Sequence, residues 1–309
     1  WKGPVLEKDD PYGDGESPDG LKPVKHVQEI QVIEGKDFEK IKEAIFKYGG
    51  VQTSIYSALR SSQSQSEFYN SSKNAYCYIG TEKPNHDVVI IGWDDSYSKD
   101  NFSVDLEGDG AFICQNSWGE NFGDDGIFYI SYEDTRIGQQ SIVYSGIENT
   151  DNYDNIYQTD LCGWVGQLGY NKETIYGANV YTAGSNENLV AASFYATGKD
   201  SEYQIYLVKN FENVESLSSM KPVASGKLSN AGYYTVPFEQ EMAVEAGERY
   251  ISTPGAVHPL AVEYKADKST ENVILDDGEG YVSANGFEWE DVKNIEDANI
   301  CLKVFSKNQ

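Results

Sequence analysis

Two short apolar runs, both broken by glycine, constrain this chain more than any other feature. Residues 88–91 are Val, Val, Ile and Ile, and Gly92 and Trp93 follow at once. Residues 111–114 form a second run and lead through Gln115 and Asn116 to Trp118 and Gly119. Periodicity alone admits a helix for runs of this length. Gly110, Gly119, Gly123 and Gly126 cut the region into pieces too short for helices, which favours strands. His86 stands at the mouth of the first run and Asn116 just past the end of the second. A hairpin with its loop over residues 94–110 can bring the start of one strand beside the end of the next.

An imidazole held by a carboxamide is the acid–base half of a thiol hydrolase. The amide oxygen accepts from one ring nitrogen and sets the tautomer, and the other nitrogen serves the nucleophile. Asparagine orients the ring without adding charge, and the imidazolium lowers the pKa of the thiol it serves. Taken singly, each residue has a plainer explanation: a histidine before a strand can be a cap or a surface group, and Asn-Ser-Trp-Gly is a turn. Asp87 could hold an imidazolium or simply face solvent.

Asn85-His86-Asp87 with its apolar run, and Asn116-Ser117-Trp118-Gly119 through Gly126 to Ile130, resemble the His and Asn motifs of papain-like cysteine peptidases. The resemblance implies His86 as general base and acid, Asn116 as its orienter, and Trp118 as the ring that shields their hydrogen bond from water. It implies that the strand beginning at Val51 lines the substrate cleft, with Ser54 and Tyr56 as cleft residues and Asn85 beside them. A cysteine placed like Cys77 often joins a disulfide in that family.

The family's nucleophile belongs to a Cys-Gly-Ser-Cys-Trp type motif, more than about a hundred residues before the histidine. Only 85 residues precede His86 here, without such a motif, and none of Cys77, Cys114, Cys162 and Cys301 opens a helix after a glycine-rich loop. The expectation is a part of a peptidase whose nucleophile-bearing half precedes Trp1. Inactivity of this chain by itself follows from that expectation.

Elsewhere in the first half, residues 27–33 read as a strand. Asp37 reads as an N-cap, with Phe38, Ile41, Ile45 and Tyr48 at helical spacing and Gly49-Gly50 as the stop. Residues 51–57 read as a strand, and residues 60–73, rich in Ser and Gln, as a mobile segment. The acids of residues 13–20 suit a surface turn better than a calcium loop. The polar stretch 146–160 marks a linker and places the domains at 1–148 and 149–309. Beyond it, short β-like runs recur at 174–181, 189–196, 203–209, 233–238, 249–253, 260–264, 280–283 and 299–305, the pattern of a sandwich or jelly roll. The fold class is therefore α+β, the β-rich half of a papain-like fold, followed by an all-β sandwich.

The domain order, with Leu161-Cys162-Gly163-Trp164, resembles the lectin-like domain that follows papain-like peptidases on some Gram-positive bacterial surfaces. Trp164, Tyr170, Tyr281 and Trp289 could stack on sugar rings or pack in a core. Asp276, Asp277 and Glu279 could hold a structural calcium ion, and a hairpin turn explains them as well. Cys162 and Cys301 could pair; Cys114 reads as a small core residue.

The formal net charge of −26 argues against nucleic acid and anionic membrane as partners. No run of about 18 apolar residues spans a bilayer. The reading is a secreted or cell-surface cysteine endopeptidase that needs no cofactor for its chemistry. Its partners would be a peptide or protein substrate, the nucleophile-bearing part, and cell-wall carbohydrate. The rival is an inactive peptidase-like scaffold that binds a surface or carbohydrate.

Overall fold

A computed structural model describes residues 3–11, 13, 17–18, 20–256, 259–275 and 278–309. The chain forms two compact units. Gln31–Ser145 is one; residues up to Ile30 join Gly146–Gln309 in the other, whereas the sequence reading divides the chain at 148/149.

The elements leading through the first unit are β1 (His26–Glu34), α1 (Phe38–Tyr48), β2 (Val51–Ile55), β3 (Tyr69–Asn70), β4 (Ala75–Tyr76), β5 (His86–Asp94), β6 (Ala111–Gln115), β7 (Ile127–Ser131) and β8 (Gln140–Glu148). Its sheet runs β8-β2-β5-β6-β7-β4-β3. β2, β5, β6 and β7 pair antiparallel in sequence, and β4 pairs parallel to β7. On β5 the side chains of Val88 and Ile90 are buried while those of Asp87, Val89 and Ile91 are exposed, the period-two alternation of a half-buried strand.

Helix α1 covers the buried face. Asp37 caps it by accepting from the Lys40 N–H at 3.2 Å. Gly49, at φ +97°, ends it and returns its N–H to the Ile45 carbonyl at 2.8 Å. Ile41 and Ile45 pack with Val51, Ile90, Phe112 and Cys114 in one core, and the Phe38 and Phe112 rings meet edge to face at 5.0 Å. Strand β2 stops two residues short of the expected end, because the backbone of Ser57 is taken by the Asn85 side chain. The polar segment 60–73 is more tied down than its composition suggests: Ser64 Oγ accepts from two backbone N–H groups, and β3 pairs with β4.

The second unit is a two-sheet sandwich. Its elements are β9 (Asn155–Tyr157), β10 (Gly166–Leu168), β11 (Ile175–Thr182), β12 (Glu187–Ala196), β13 (Ser201–Lys209), β14 (Lys221–Leu228), β15 (Ala231–Val244), β16 (Arg249–Ala256), β17 (Leu260–Glu263), β18 (Glu279–Ser283), β19 (Glu290–Asp291), α2 (Val292–Glu296), β20 (Asn299–Ile300) and β21 (Leu302–Asn308). One sheet runs β14-β13-β16-β11-β18-β19; in the other, β12 pairs with β15, β17 and β21. Leu189, Phe194, Leu302 and Val304 meet Ile175, Ile205, Leu207 and Tyr250 between the layers. The expected strands lie in these elements. β14 escaped the sequence reading because it is a polar edge strand with only two buried side chains.

All four cysteines are free thiols, which corrects the proposed Cys162–Cys301 pairing. Cys301 is buried and its Sγ donates to the Gly163 carbonyl at 3.2 Å, while Cys162 is exposed.

Ile41 is fully buried under the sheet that carries His86. Ile41→Ala is expected to destabilise this unit by ~2–4 kcal/mol, measured as lost hydrogen-exchange protection of the β5 and β6 amides.

Candidate active site

Antiparallel pairing explains why residues 86 and 116 meet. β5 begins at His86 and β6 ends at Gln115, with Val89 opposite Gln115. The first residue of one strand and the residue just past the other therefore share one edge of the hairpin. The Asn116 N–H donates to the Gly126 carbonyl at 2.9 Å, which anchors the following turn. That turn needs Gly123: its φ is +63°, and a Cβ there would lie 2.1 Å from the Ile127 carbonyl oxygen.

His86 Nε2 lies 2.8 Å from Asn116 Oδ1. Asn116 is buried, and its Oδ1 also accepts the Ser117 backbone N–H at 2.8 Å. An atom accepting from an amide N–H is the carbonyl oxygen of the side chain, so Nε2 must be the donor. The neutral ring then carries its lone pair on Nδ1. Trp118 lies against the imidazole at 4.9 Å between ring centroids, and Phe122 supports the indole edge to face at 5.2 Å. A hydrogen bond is electrostatically stronger where the surroundings are less polar than water.

His86 opens onto a cavity of about 420 Å³ lined by Tyr56, Ser57, Ala58, Leu59, Arg60, Asn85 and Trp118. Asn85 acts as a clamp. Its Oδ1 accepts the Ser57 N–H at 2.7 Å, and its Nδ2 donates to the Ser57 carbonyl at 3.1 Å. The buried Tyr76 hydroxyl donates to the Tyr56 carbonyl at 2.7 Å and accepts the Ala58 N–H at 3.1 Å. The Tyr56 ring packs on Tyr78 at 4.3 Å.

Of the residues singled out in the sequence, His86, Asn116, Trp118, Asn85 and Tyr56 come together. Ser54 does not line this cavity: its hydroxyl donates to Asp87 at 2.6 Å on the exposed face of the β2–β5 pair. Asp87 also accepts from Gln52 at 3.4 Å, which makes it the solvent-facing carboxylate of the two alternatives. The Ser57–Arg60 wall and the role of Tyr76 were missed, since only the fold brings them to His86.

No cysteine of the chain lines the cavity. Burial pushes the Cys77 thiol up to about 12 and the Cys114 and Cys301 thiols well above their usual range. Such thiols stay protonated and inert. Cys162 belongs to the other unit.

Residues 2–148 match the family model of papain family cysteine proteases, and residues 156–306 match that of the lectin like domain. The chain joins a papain-family peptidase segment to a lectin-like domain. A form of the clostridial cysteine protease Cwp84 with a cysteine replaced by alanine, after propeptide cleavage, is 28% identical with a TM-score of 0.85, over 100% of this chain and 80% of its own. The cysteine protease and lectin-like domains of Cwp84, a surface layer associated protein of Clostridium difficile, match at 27% identity and a TM-score of 0.82, over 100% of this chain and 71% of that one. No curated protein matches the sequence.

In the lectin-like domain, Glu279 is engaged by Arg249 and by the Tyr281 hydroxyl. Asp276 and Asp277 lie outside the described residues, as do Asp14, Glu16 and Asp19 of the early acidic loop. Among the described residues no three His, Cys, Asp or Glu side chains gather as a metal site. Tyr170, Tyr281 and Trp289 pack against the sandwich cores, and Trp164 lies 6.1 Å from the Tyr195 ring.

Asn85→Ala in the papain-family segment removes both bonds to Ser57. At ~1 kcal/mol for each, the Ser57 amide should exchange roughly tenfold faster or more, as read by hydrogen-exchange NMR.

Proposed function

We propose that this chain supplies the His–Asn half and the accessory domain of a cysteine endopeptidase, with the nucleophilic cysteine on a segment outside this sequence. The observation that carries the reading is the Nε2–Asn116 bond under Trp118, which leaves Nδ1 of a cavity-lining His86 to serve as the base.

The chemistry follows from that arrangement. Nδ1 takes the thiol proton, giving a thiolate–imidazolium pair. The thiolate attacks the scissile carbonyl carbon. As the C–N bond breaks, the imidazolium gives its Nδ1 proton to the departing amine and a thioester remains. Nδ1 then takes a proton from water while its oxygen attacks the thioester. The acid leaves, and the expelled thiolate again faces an imidazolium. Throughout, Asn116 holds the ring through Nε2, and no step calls on a cofactor.

The lectin-like domain would hold the enzyme at a bacterial cell surface, through carbohydrate or another wall component. The likeness to a surface layer associated protease over the whole chain supports that assignment.

A thiol-directed epoxide inhibitor applied to the full-length protein tests the reading. One-to-one labelling is expected. His86→Ala should abolish it and lower kcat/KM by ~10⁴-fold. Asn116→Ala should lower it by only about 10–100-fold, the effect of a misaligned ring. A processed full-length protein that takes no label would select the inactive scaffold instead, and unchanged turnover in His86→Ala would remove that residue from the mechanism.

A further inference from the structure

Arg60 stands apart among the side chains around the cavity. Apart from His86 it is the cavity's one ionisable group of positive charge. The backbone that carries it is fixed. Asn85 grips Ser57, Ser57 Oγ donates to the Leu59 carbonyl at 2.9 Å, and the N–H groups of Arg60 and Ser61 both donate to Ser64 Oγ at 3.1 Å. The guanidinium itself makes no hydrogen bond or ion pair among the described residues. The chain has 50 acidic residues against 24 lysines and arginines, so a carboxylate partner would be easy to supply. Arg60 is instead presented, unpaired, on a rigid support at the wall of the cavity onto which His86 opens. A guanidinium is a planar fork of donors that matches a carboxylate with two parallel bonds. The cavity falls within the usual range for a ligand site, ~300–1,000 Å³.

We infer that the cavity beside His86 is a subsite for a substrate residue bearing a carboxylate, with Arg60 as its specificity-determining side chain. The inference rests on the peptidase reading above. Leu59 and Tyr56 supply apolar walls for the methylene stem of such a residue, and Arg60 supplies the charge. The acidic surface of the chain repels an anionic substrate at long range, so acceptance of an acid depends on this local cation.

The test uses the full-length enzyme and a set of otherwise identical peptides in which Glu or its neutral isostere Gln occupies each position around one cleavable bond. The ratio of kcat/KM for each Glu/Gln pair is read within one enzyme preparation, so the folded fraction cancels. At one position the wild-type ratio is expected to be about fivefold in favour of Glu, the size of one solvent-accessible charge pair. It should fall to about one in Arg60→Gln, drop below one in Arg60→Glu, and recover partly in Arg60→Lys. It should also shrink as salt is raised. A wild-type ratio near one at every position, or a Glu preference that survives in Arg60→Glu, overturns the inference while leaving the peptidase reading intact. Failure to cleave any peptide of the set, with no epoxide labelling, overturns the peptidase reading and this inference with it.

Discussion

One hydrogen bond organises the papain-family half of this protein. His86 Nε2 is committed to Asn116 Oδ1, and that commitment decides which nitrogen remains basic. The bond depends on nested constraints. The hairpin of β5 and β6 sets the two residues side by side, the turn through Gly123 carries Trp118 over the imidazole, and Phe122 backs the indole. Helix α1 and its buried isoleucines keep the sheet beneath them in place. A carboxamide suits this position because it would fix the ring without adding a charge to the ion pair that the proposed mechanism gives the ring and a thiolate.

The second requirement is a fixed wall beside His86. Two devices hold the chain from Tyr56 to Arg60 open beside His86. Asn85 imitates a strand partner for Ser57, and the Tyr76 hydroxyl bridges the flanking Tyr56 carbonyl and Ala58 N–H. Both spend side-chain hydrogen bonds on backbone that has left the sheet, where unsatisfied groups would be costly. The cavity is thus built by Asn85, Tyr76 and the chain from Tyr56 to Arg60 as much as by the histidine itself.

The local parts of this arrangement could be read from the sequence. His86, Asn116 and Trp118 lie in compact words whose residue types carry the chemistry, and α1 shows its cap, its apolar spacing and its glycine stop. The strands of the sandwich were legible where side chains alternate and invisible where an edge strand is polar, as in β14. Position 85 could be named but its clamp could not, since its partner is 28 residues away. Ser54 stands one strand position before Ile55, the residue opposite His86, and so turns to Asp87 rather than to the cavity. The cysteine pairing failed for a similar reason: chain position near both ends of a domain says nothing about the direction of a side chain.

The tautomer of His86 tests this account most directly. The chain has three histidines, so one substitution assigns the resonance. Long-range proton–nitrogen NMR on the full-length protein, with the proposed nucleophilic thiol alkylated and the ring neutral, should find the proton on Nε2 and Nδ1 bare. A ring protonated on Nδ1, or one that exchanges freely between the two forms as imidazole does in water, would contradict it.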